Sequence, residues 1–265
     1  MNWIDTAAAY GFGRSEEVVG RALEGLRDDE RPYVFTKASL VEGPGRRVVH
    51  DLRYDSILRE AEASLRRLRV DAIDLYQIHW PIPEADIEEG WAALAELQEQ
   101  GYVRHIGVSN FDAEQLRRIQ PLAPVETLQP PYSLVSREIE DEVLPFAGAL
   151  GMGVIVYSPM ASGLLTGRMT RERIAGLPDD DWRKHDARFR EPRLSRHLAL
   201  VERLEAVADR HGTTPGAVAV AWTLRHPAVD GAIVGFRRPD QVDPILAAAS
   251  LELGDDDLAE LEGKL

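Results

Sequence analysis

Residues 73–79 form a short apolar run that ends in a histidine, Ile73-Asp74-Leu75-Tyr76-Gln77-Ile78-His79. Six other short apolar runs also end in polar residues or glycine, which are Asp5, Lys37, Ser109-Asn110, Gln129, Tyr157-Ser158 and Gly235. Continuous β-branched runs indicate strands buried on both faces, and helical patterns between them indicate βα units. In a (β/α)₈ barrel the active site lies at the carboxyl ends of the strands. The sequence therefore predicts an α/β fold of the TIM-barrel type, with seven recognisable strands and a site built from their endings.

Helical periodicity fills most of the segments between these runs. One face of the segment before the 73–79 run carries Ile57, Ala61 and Leu68, and a second helix is predicted around Trp91 and Leu94. Further helices are predicted around residues 143–150, 198–207 and 215–224. The segment 166–196 differs because it is rich in charge, glycine and proline. We interpret it as a long loop that covers a pocket, with a surface insertion as the alternative.

Composition excludes several classes of protein. The chain has 265 residues, 44% of them hydrophobic, a formal net charge of −14 at pH 7 and no cysteine. This length fits one α/β barrel, so we expect a single domain over residues 1–265. The acidic balance disfavours nucleic acid and acidic membranes as partners, and no run approaches the ~18 apolar residues of a membrane helix. The lack of cysteine excludes thiolate metal sites and fits a reducing cytoplasm. We expect a cytoplasmic protein without a bound metal.

Four polar side chains near three successive strand ends suggest proton transfer. A tyrosine hydroxyl such as that of Tyr10 is a poor acid near neutral pH because its reference pKa is about 10. A nearby ammonium, here Lys37, favours the phenolate, and a carboxylate such as Asp5 can hold the ammonium in place. An imidazole, here His79, can orient a substrate carbonyl. Each residue alone has a structural alternative: a helix cap for Asp5, packing for Tyr10, a solvated strand end for Lys37 and a core histidine for His79. The combination favours catalysis.

Motifs spread over the whole chain carry a resemblance. They are Asp5-Thr6-Ala7, Tyr10-Gly11, Ser15-Glu16, Thr36-Lys37, Leu75-Tyr76-Gln77-Ile78-His79-Trp80-Pro81, Gly107-Val108-Ser109-Asn110-Phe111, Gln129-Pro130-Pro131-Tyr132-Ser133, Tyr157-Ser158-Pro159, Gly163-Leu164-Leu165-Thr166-Gly167 and Ile233-Val234-Gly235 with Pro239 and Gln241. In these motifs the chain resembles the aldo-keto reductase family. The resemblance implies that Tyr10 is the general acid/base, that Lys37 and Asp5 tune it, and that His79 positions a carbonyl. It also implies a nicotinamide cofactor on a barrel without a Rossmann domain, and a small-molecule carbonyl or alcohol as substrate.

The resemblance further implies which residues bind the nicotinamide. Ser109, Asn110 and Gln129 would hydrogen-bond its amide, and Tyr157 would stack on its ring. A helix cap is the alternative for Ser109-Asn110, and a core aromatic position is the alternative for Tyr157.

Other matching positions are expected at the cofactor phosphates. The backbone from Ser158 through Gly167 would straddle the pyrophosphate, and the residues expected there are Ser158, Pro159, Gly163, Leu165 and Gly167. Gly235 and Arg237 would meet the adenosine phosphate, and Gln241 would lie near the adenosine. Loops after the last two strands often bind phosphate in this architecture, helix-start amides after Gly235 favour anions, and arginine suits a phosphate through its planar fork of donors. A solvated surface charge is the alternative for Arg237.

The chain departs from the family pattern in two places. Pro244 and Ile245 stand where the family often has a Glu-Asn pair near adenine, so we expect NADP as the cofactor with NAD as the alternative. Family members also open with a strand, a glycine-rich turn and a helix before the motif at Asp5, whereas Met1 lies almost directly on that motif's strand. We therefore predict a barrel truncated at its amino terminus, with an exposed edge at which the chain would self-associate.

Three classes of function follow. The first is an oxidoreductase that reduces aldehydes or ketones, or oxidises the matching alcohols or sugars, with Tyr10 as general acid/base. The second is a cofactor-binding regulatory protein without catalysis, or an inactive truncated family member. The third is a Schiff-base lyase that uses Lys37, in which Tyr10 and Gln129 would have no role.

Overall fold

All seven predicted strands form in the structure, a computed structural model that describes residues 2–27 and 29–263. Two additional strands form a hairpin that the sequence did not predict. In chain order the strands are β1 (Trp3–Asp5), β2 (Tyr33–Ala38), β3 (Leu40–Gly43), β4 (Arg47–His50), β5 (Ile73–Ile78), β6 (Val103–Ser109), β7 (Thr127–Gln129), β8 (Gly153–Tyr157) and β9 (Gly231–Ile233).

Helices separate most of these strands along the chain. They are α1 (Arg14–Leu23), α2 (Tyr54–Leu68), α3 (Ile87–Glu99), α4 (Ala113–Ile119), α5 (Val143–Leu150), α6 (Arg171–Ala175), α7 (Arg193–Arg210), α8 (Pro215–Leu224), α9 (Asp243–Leu246) and α10 (Asp255–Glu262). The helices predicted from periodicity are confirmed in α2, α3, α5, α7 and α8. Within the described residues, none of the helices has the length and apolar character needed to cross a bilayer.

The residue contacts divide the chain into two units. The first comprises Met1–Pro130 and Pro145–Gly153, and the second comprises Pro131–Leu144 and Val154–Leu265. In the first unit, β1, β2, β5, β6 and β7 lie side by side and all pair in parallel. In the second, β8 and β9 pair in parallel, with Tyr157 beside Ile233. The expectation of a single domain over residues 1–265 stays a prediction.

The register of the first unit brings the polar strand endings to one edge. Lys37 on β2 lies beside Gln77 on β5, and Ser109 on β6 lies beside Gln129 on β7. The apolar residues of β5, β6 and β7 are buried on both faces, as parallel strands require when helices connect them, whereas those of β1 are only half-buried. The ends of five strands thus place their polar side chains in one region of the first unit.

The hairpin of β3 and β4 follows directly after β2. It is antiparallel, with Leu40 beside His50, and its turn contains Gly45 and Arg46 in the left-handed region (φ 71° and 56°). The consecutive valines of β4, Val48 and Val49, are both exposed. Because β4 buries neither face in the core, its sequence has none of the alternation by which strands are recognised.

The long segment 166–196 contains more structure than the predicted loop. It holds α6 and two single turns of 3₁₀-helix, Trp182–Lys184 and Ala187–Phe189. Each turn begins at an aspartate, Asp181 or Asp186, whose side chain accepts a hydrogen bond from the backbone N–H two residues later. These aspartate side chains give backbone N–H groups a local hydrogen-bond partner. The segment therefore forms short turns although its sequence has weak helical periodicity. A role in covering a pocket stays a prediction.

Gly107 is required by the close approach of two strands. It lies beside Thr127, and a Cβ atom at position 107 would come within 2.0 Å of Thr127 Oγ1 and 2.7 Å of the Thr127 carbonyl oxygen. The second clash involves backbone, so a side-chain rotation cannot relieve it. A glycine at this position is therefore a condition for the pairing of β6 with β7.

Gly107→Ala is expected to lower the free energy of unfolding by ~1–3 kcal/mol, the usual cost of overpacking a buried site. Chemical denaturation of the variant and the parent measures the difference. Gly176→Ala is the matched control, since Gly176 has φ −83° and a Cβ there would contact its nearest neighbour at 3.4 Å. Equal stability of Gly107→Ala and the parent would contradict the steric argument.

Candidate active site

A buried ion pair joins the ends of β1 and β2. Lys37 Nζ lies 2.5 Å from Asp5 Oδ1, and it also donates a hydrogen bond to the Thr6 carbonyl oxygen at 3.0 Å. The two side chains are only 1% and 5% exposed. Burial lowers the pKa of Lys37, and the charge and hydrogen bond of Asp5 oppose that shift. The carboxylate thus keeps a cation in a position where water is scarce.

A chain of buried amides continues from this ion pair across the strand ends. Gln129 Nε2 donates to Asp5 Oδ2 and to Gln77 Oε1, both at 3.0 Å. Gln77 Nε2 in turn lies 3.5 Å from Thr127 Oγ1. Gln77 and Gln129 are both buried. Asp5 is therefore held on both carboxylate oxygens, by residues from β2 and from β7.

The other face of β2 is anchored to the helices outside it. Thr36, which precedes Lys37 and therefore points to the opposite face, donates from Oγ1 to Glu16 Oε1 at 2.6 Å. Glu16 on α1 is fully buried and also accepts from Arg67 Nε on α2 at 2.6 Å. Consecutive residues of β2 are thus tied to Asp5 on one face and to Glu16 on the other.

Tyr10 lies beside this ion pair and is open to solvent. The Lys37 Nζ atom is 5.8 Å from the centroid of the Tyr10 ring. The ring also contacts His79 edge-on, with 5.8 Å between ring centroids and an interplanar angle of 78°. Tyr10 is 47% exposed, whereas Lys37 is buried. The structure therefore brings together all four predicted residues, Asp5, Tyr10, Lys37 and His79, with the phenol as the accessible member.

His79 is neutral at physiological pH. Burial, followed by the charges of Lys37 and His50, lowers the pKa of His79 to about 3. Its Nδ1 atom is buried without a hydrogen-bond partner among the described residues. His50, at the end of the hairpin, was not among the predicted site residues. A neutral imidazole with one unused ring nitrogen can orient a polar ligand but cannot act as the main acid.

Ser109 and Asn110 form a hydrogen-bonded turn at the end of β6. Ser109 Oγ donates to the Gln129 carbonyl oxygen at 2.7 Å, and Asn110 Nδ2 donates to the His79 carbonyl oxygen at 2.9 Å. Asn110 has φ 64°, in the left-handed region that asparagine tolerates better than most residues. Ser109, Asn110 and Gln129, which were predicted as one group, lie together near His79.

In the second unit, Tyr157 ends β8 and begins an irregular turn. Tyr157 is half-buried, and burial raises the pKa of its hydroxyl, which the charge of Arg188 opposes. Positive φ angles follow at Ser158, Ala161, Ser162, Gly163 and Gly167. Backbone that alternates between right- and left-handed conformations gathers N–H groups into concave anion sites. In the turn predicted for the pyrophosphate, however, the N–H groups of Ala161, Gly163 and Leu165 already donate to the backbone carbonyls of Ser158 and Met160.

The residues predicted near the adenosine phosphate lie after β9. Gly235 and Arg237 are exposed. The Gln241 Oε1 atom accepts from the backbone N–H groups of Arg237 at 2.8 Å and Arg238 at 3.1 Å, so this side chain caps the turn. The segment after Gly235 is a short 3₁₀ turn, Pro239–Gln241, rather than the start of a long helix. The structure therefore gives less support than the sequence did for an anion site formed by helix-start amides after Gly235.

The two residues that depart from the family pattern have structural roles in the second unit. Pro244 occupies the first turn of α9, where proline is tolerated. Ile245 packs against a buried cluster formed by Ala217, Val220, Ala221 and Ala248. In the described part of the chain, no group of three or more His, Asp or Glu side chains is placed to hold a metal ion.

Comparison with known proteins identifies the family of the chain. A family model described as the aldo/keto reductase family matches residues 1–265. The chain belongs to the aldo/keto reductase family. Among curated members, aldo-keto reductase YhdN of Bacillus subtilis (strain 168) is 39% identical over 259 residues, which are 97% of this chain and 77% of that protein. The NADH-specific methylglyoxal reductase of Escherichia coli (strain K12) is 35% identical over 269 residues, covering 97% of this chain and 81% of that protein.

A solved structure of the family confirms the fold class. The glycerol dehydrogenase AKR11B4 from Gluconobacter oxydans matches with a TM-score of 0.92 and 39% identity, over 99% of this chain and 80% of that chain. The prediction of an α/β fold of the TIM-barrel class is therefore confirmed.

Lys37→Met is expected to lower the free energy of unfolding by about 3–5 kcal/mol, because it leaves Asp5 as a buried charge without its cation. The double variant Asp5→Asn/Lys37→Met should be more stable than Lys37→Met alone, since the asparagine oxygen is neutral and still accepts from Gln129. Chemical denaturation measures both. Lys184→Met is the control and should change stability little, because its partner Asp179 is 98% exposed. A double variant no more stable than Lys37→Met would contradict this account.

Proposed function

We propose that the protein transfers hydride between a nicotinamide cofactor and a small-molecule carbonyl or alcohol, with Tyr10 as general acid/base. The observation that carries the proposal is the buried Lys37 ammonium, held by Asp5 at 2.5 Å and lying 5.8 Å from the centroid of the exposed Tyr10 ring. A fixed positive charge beside a phenol favours its ionised form. Tyr10 is thereby suited to give up a proton and to take it back.

The exposed position of Tyr10 determines which residue meets the substrate. Lys37 and Asp5 are buried and bound to each other, so we assign them the role of tuning Tyr10. In the reducing direction the Tyr10 hydroxyl gives its proton to the carbonyl oxygen of the substrate. In the oxidising direction the Tyr10 phenolate takes the proton of the alcohol.

The neutral state of His79 complements this assignment. Because its pKa is lowered to about 3, the imidazole carries no charge at neutral pH and does not compete with Tyr10 as a proton source. A neutral imidazole can still donate one N–H to a carbonyl oxygen. We therefore assign His79 the role of orienting the substrate.

The polar strand endings fit a nicotinamide. When bound, the cofactor supplies or accepts the hydride. The side-chain amide of Gln129 uses Nε2 for Asp5 and Gln77. We assign its side-chain oxygen, Oε1, as the acceptor for the nicotinamide amide. We assign Ser109 and Asn110 to the same amide group, and Tyr157 to the face of the ring.

We assign the phosphates of the cofactor to residues of the second unit. The positions to which we assign them are the turn from Ser158 through Gly167, which contains left-handed residues, and the exposed Gly235 and Arg237 after β9. Within residues 2–27 and 29–263 Arg237 makes no close ion pair, and its charge helps to lower the pKa of Asp181, a carboxylate that is paired with Arg183. These features support NADP. The Escherichia coli relative is described as NADH-specific, and Ile245 is used for packing, so NAD is the alternative.

The substrate is proposed at the level of a class. The names of the relatives specify methylglyoxal and glycerol, and we propose that this protein acts on small aldehydes and ketones or on the corresponding alcohols or sugars. A cytoplasmic location and self-association through the edge of β1 stay predictions.

Tyr10→Phe is expected to lower turnover by ~10²–10⁴-fold, the usual contribution of general acid–base catalysis. Oxidation of NADPH or NADH with a panel of small aldehydes measures turnover, and quenching of tryptophan fluorescence measures cofactor affinity, which should not change. Tyr33→Phe is the matched control because Tyr33 is also exposed and lies at the opposite end of β2. Near-normal reduction by Tyr10→Phe would show that another group is the acid.

The same assays separate the other functional classes. A parent protein that binds cofactor but turns over none of the aldehydes would be a binding or regulatory protein. Trapping of a substrate adduct on Lys37 by borohydride would indicate a Schiff-base lyase.

Arg237→Ala is expected to weaken NADPH binding by ~1.5–3 kcal/mol, the range for hydrogen bonds to a charged group, and to leave NADH binding almost unchanged. Titration of tryptophan fluorescence with each cofactor measures both affinities. Arg238→Ala is the control, because Arg238 is paired with Asp240. An equal loss for both cofactors would place Arg237 away from the 2′-phosphate.

A further inference from the structure

Helix α2 carries a buried carboxyl group that the proposed chemistry does not use. Glu60 is 9% exposed and forms no ion pair with a cation in the described part of the chain. Burial raises the pKa of Glu60 to about 8. A buried acid without a counterion destabilises the fold unless hydrogen bonds compensate for its lost hydration. The hydrogen bonds of Glu60 therefore indicate its role.

The main partner of Glu60 is the backbone of Ser39. The Ser39 N–H donates to Glu60 Oε2 at 3.0 Å, and Ser56 Oγ lies 3.4 Å from Glu60 Oε1. Ser39 follows β2 directly and is two residues beyond Lys37. It is fully buried and has φ 78°, a left-handed conformation that a side chain with a Cβ atom disfavours. Such a conformation persists only where the surroundings hold it.

Ser39 connects three segments of the candidate active site. Its carbonyl oxygen accepts from the Asp51 N–H at 3.0 Å, at the exit of the hairpin. Its Oγ atom lies 3.4 Å from both the N and the O atoms of Trp80, the residue after His79. The preceding residue, Ala38, accepts the His79 N–H at 3.1 Å. The backbone that carries Lys37 is therefore joined at this turn to the backbone that carries His79.

We propose that Glu60 is a positioning residue, whose carboxyl group holds the left-handed turn at Ser39 and thereby fixes Lys37 and His79 relative to each other. The proposal rests on the proposed function for its kinetic consequence, but the link from Glu60 to Ser39 stands on geometry alone. Glu60 reaches Ser39 from α2, and it is not among the residues that we assign to the substrate or the cofactor.

The raised pKa of Glu60, which favours a neutral carboxyl group, suggests the conservative variant. A neutral carboxyl group and a primary amide have the same shape, and both keep an oxygen that can accept the Ser39 N–H. Glu60→Gln should therefore preserve the turn, whereas Glu60→Ala removes the acceptor. Glu62→Ala is the matched control, since Glu62 lies on the same helix, is exposed and pairs with Arg66.

Steady-state kinetics with the aldehyde panel test the proposal. Glu60→Ala should lower kcat by about 10-fold or more, because a displacement of ~1 Å at a catalytic site costs on the order of 10²-fold. Its cofactor affinity should stay unchanged, and Glu60→Gln and Glu62→Ala should retain turnover close to the parent's. A parent-like kcat in Glu60→Ala, or an equal loss in Glu60→Ala and Glu60→Gln, would overturn the proposal.

Hydrogen exchange at the Ser39 amide supplies a readout that does not depend on activity. Exchange should be faster in Glu60→Ala than in the parent, Glu60→Gln and Glu62→Ala. Unchanged exchange in Glu60→Ala would overturn the link between Glu60 and Ser39. If the parent itself reduced none of the aldehydes, the proposed function would fail, and the exchange measurement would still decide whether Glu60 holds the turn.

Discussion

The buried ion pair between Lys37 and Asp5 is the interaction on which the candidate active site depends. Two charges removed from water are stable only when each has its remaining hydrogen-bonding capacity filled. Asp5 gains a donor on its second oxygen from Gln129, and Lys37 donates a second of its three N–H groups to the Thr6 carbonyl. The requirement extends to Gln77, which accepts the other hydrogen of the Gln129 amide. The need to hold one buried cation thus accounts for polar residues on four strands, β1, β2, β5 and β7.

The arrangement also explains why the strand that carries Lys37 is held from both sides. A lysine that could move toward solvent would gain hydration and leave the phenol of Tyr10. On one face of β2, Asp5 holds the ammonium, and on the other face Glu16 binds Thr36 and Arg67. The contacts of β2 therefore fix the position of the charge beside Tyr10, while the Tyr10 ring stays accessible to solvent.

The fold and the central residues of the site could be predicted from the sequence, and their immediate surroundings could not. Seven apolar runs with polar endings predicted the parallel strands and brought Asp5, Lys37 and His79 to one edge, since strand direction alone decides where a strand ends. Glu60 lies three residues after Ile57 and therefore on the same face of α2. It escaped notice because a glutamate is rarely buried without a charged partner. Gln77 stands within an apolar run and reads as part of a strand. Gln241 has a local partner, the backbone of its own turn, which a motif cannot reveal.

The hydrogen bond from Gln129 to Asp5 joins residues that are 124 positions apart in the chain. Contacts of such long sequence separation form late, because the entropy of closing the intervening chain must be overcome before they contribute. Until β7 is in place, the second oxygen of Asp5 lacks its donor and the ion pair remains hydrated. A partly folded chain therefore has the residues of the site but not their arrangement. The buried position of the Lys37 charge beside Tyr10 is therefore reached only once β1, β2 and β7 have come together.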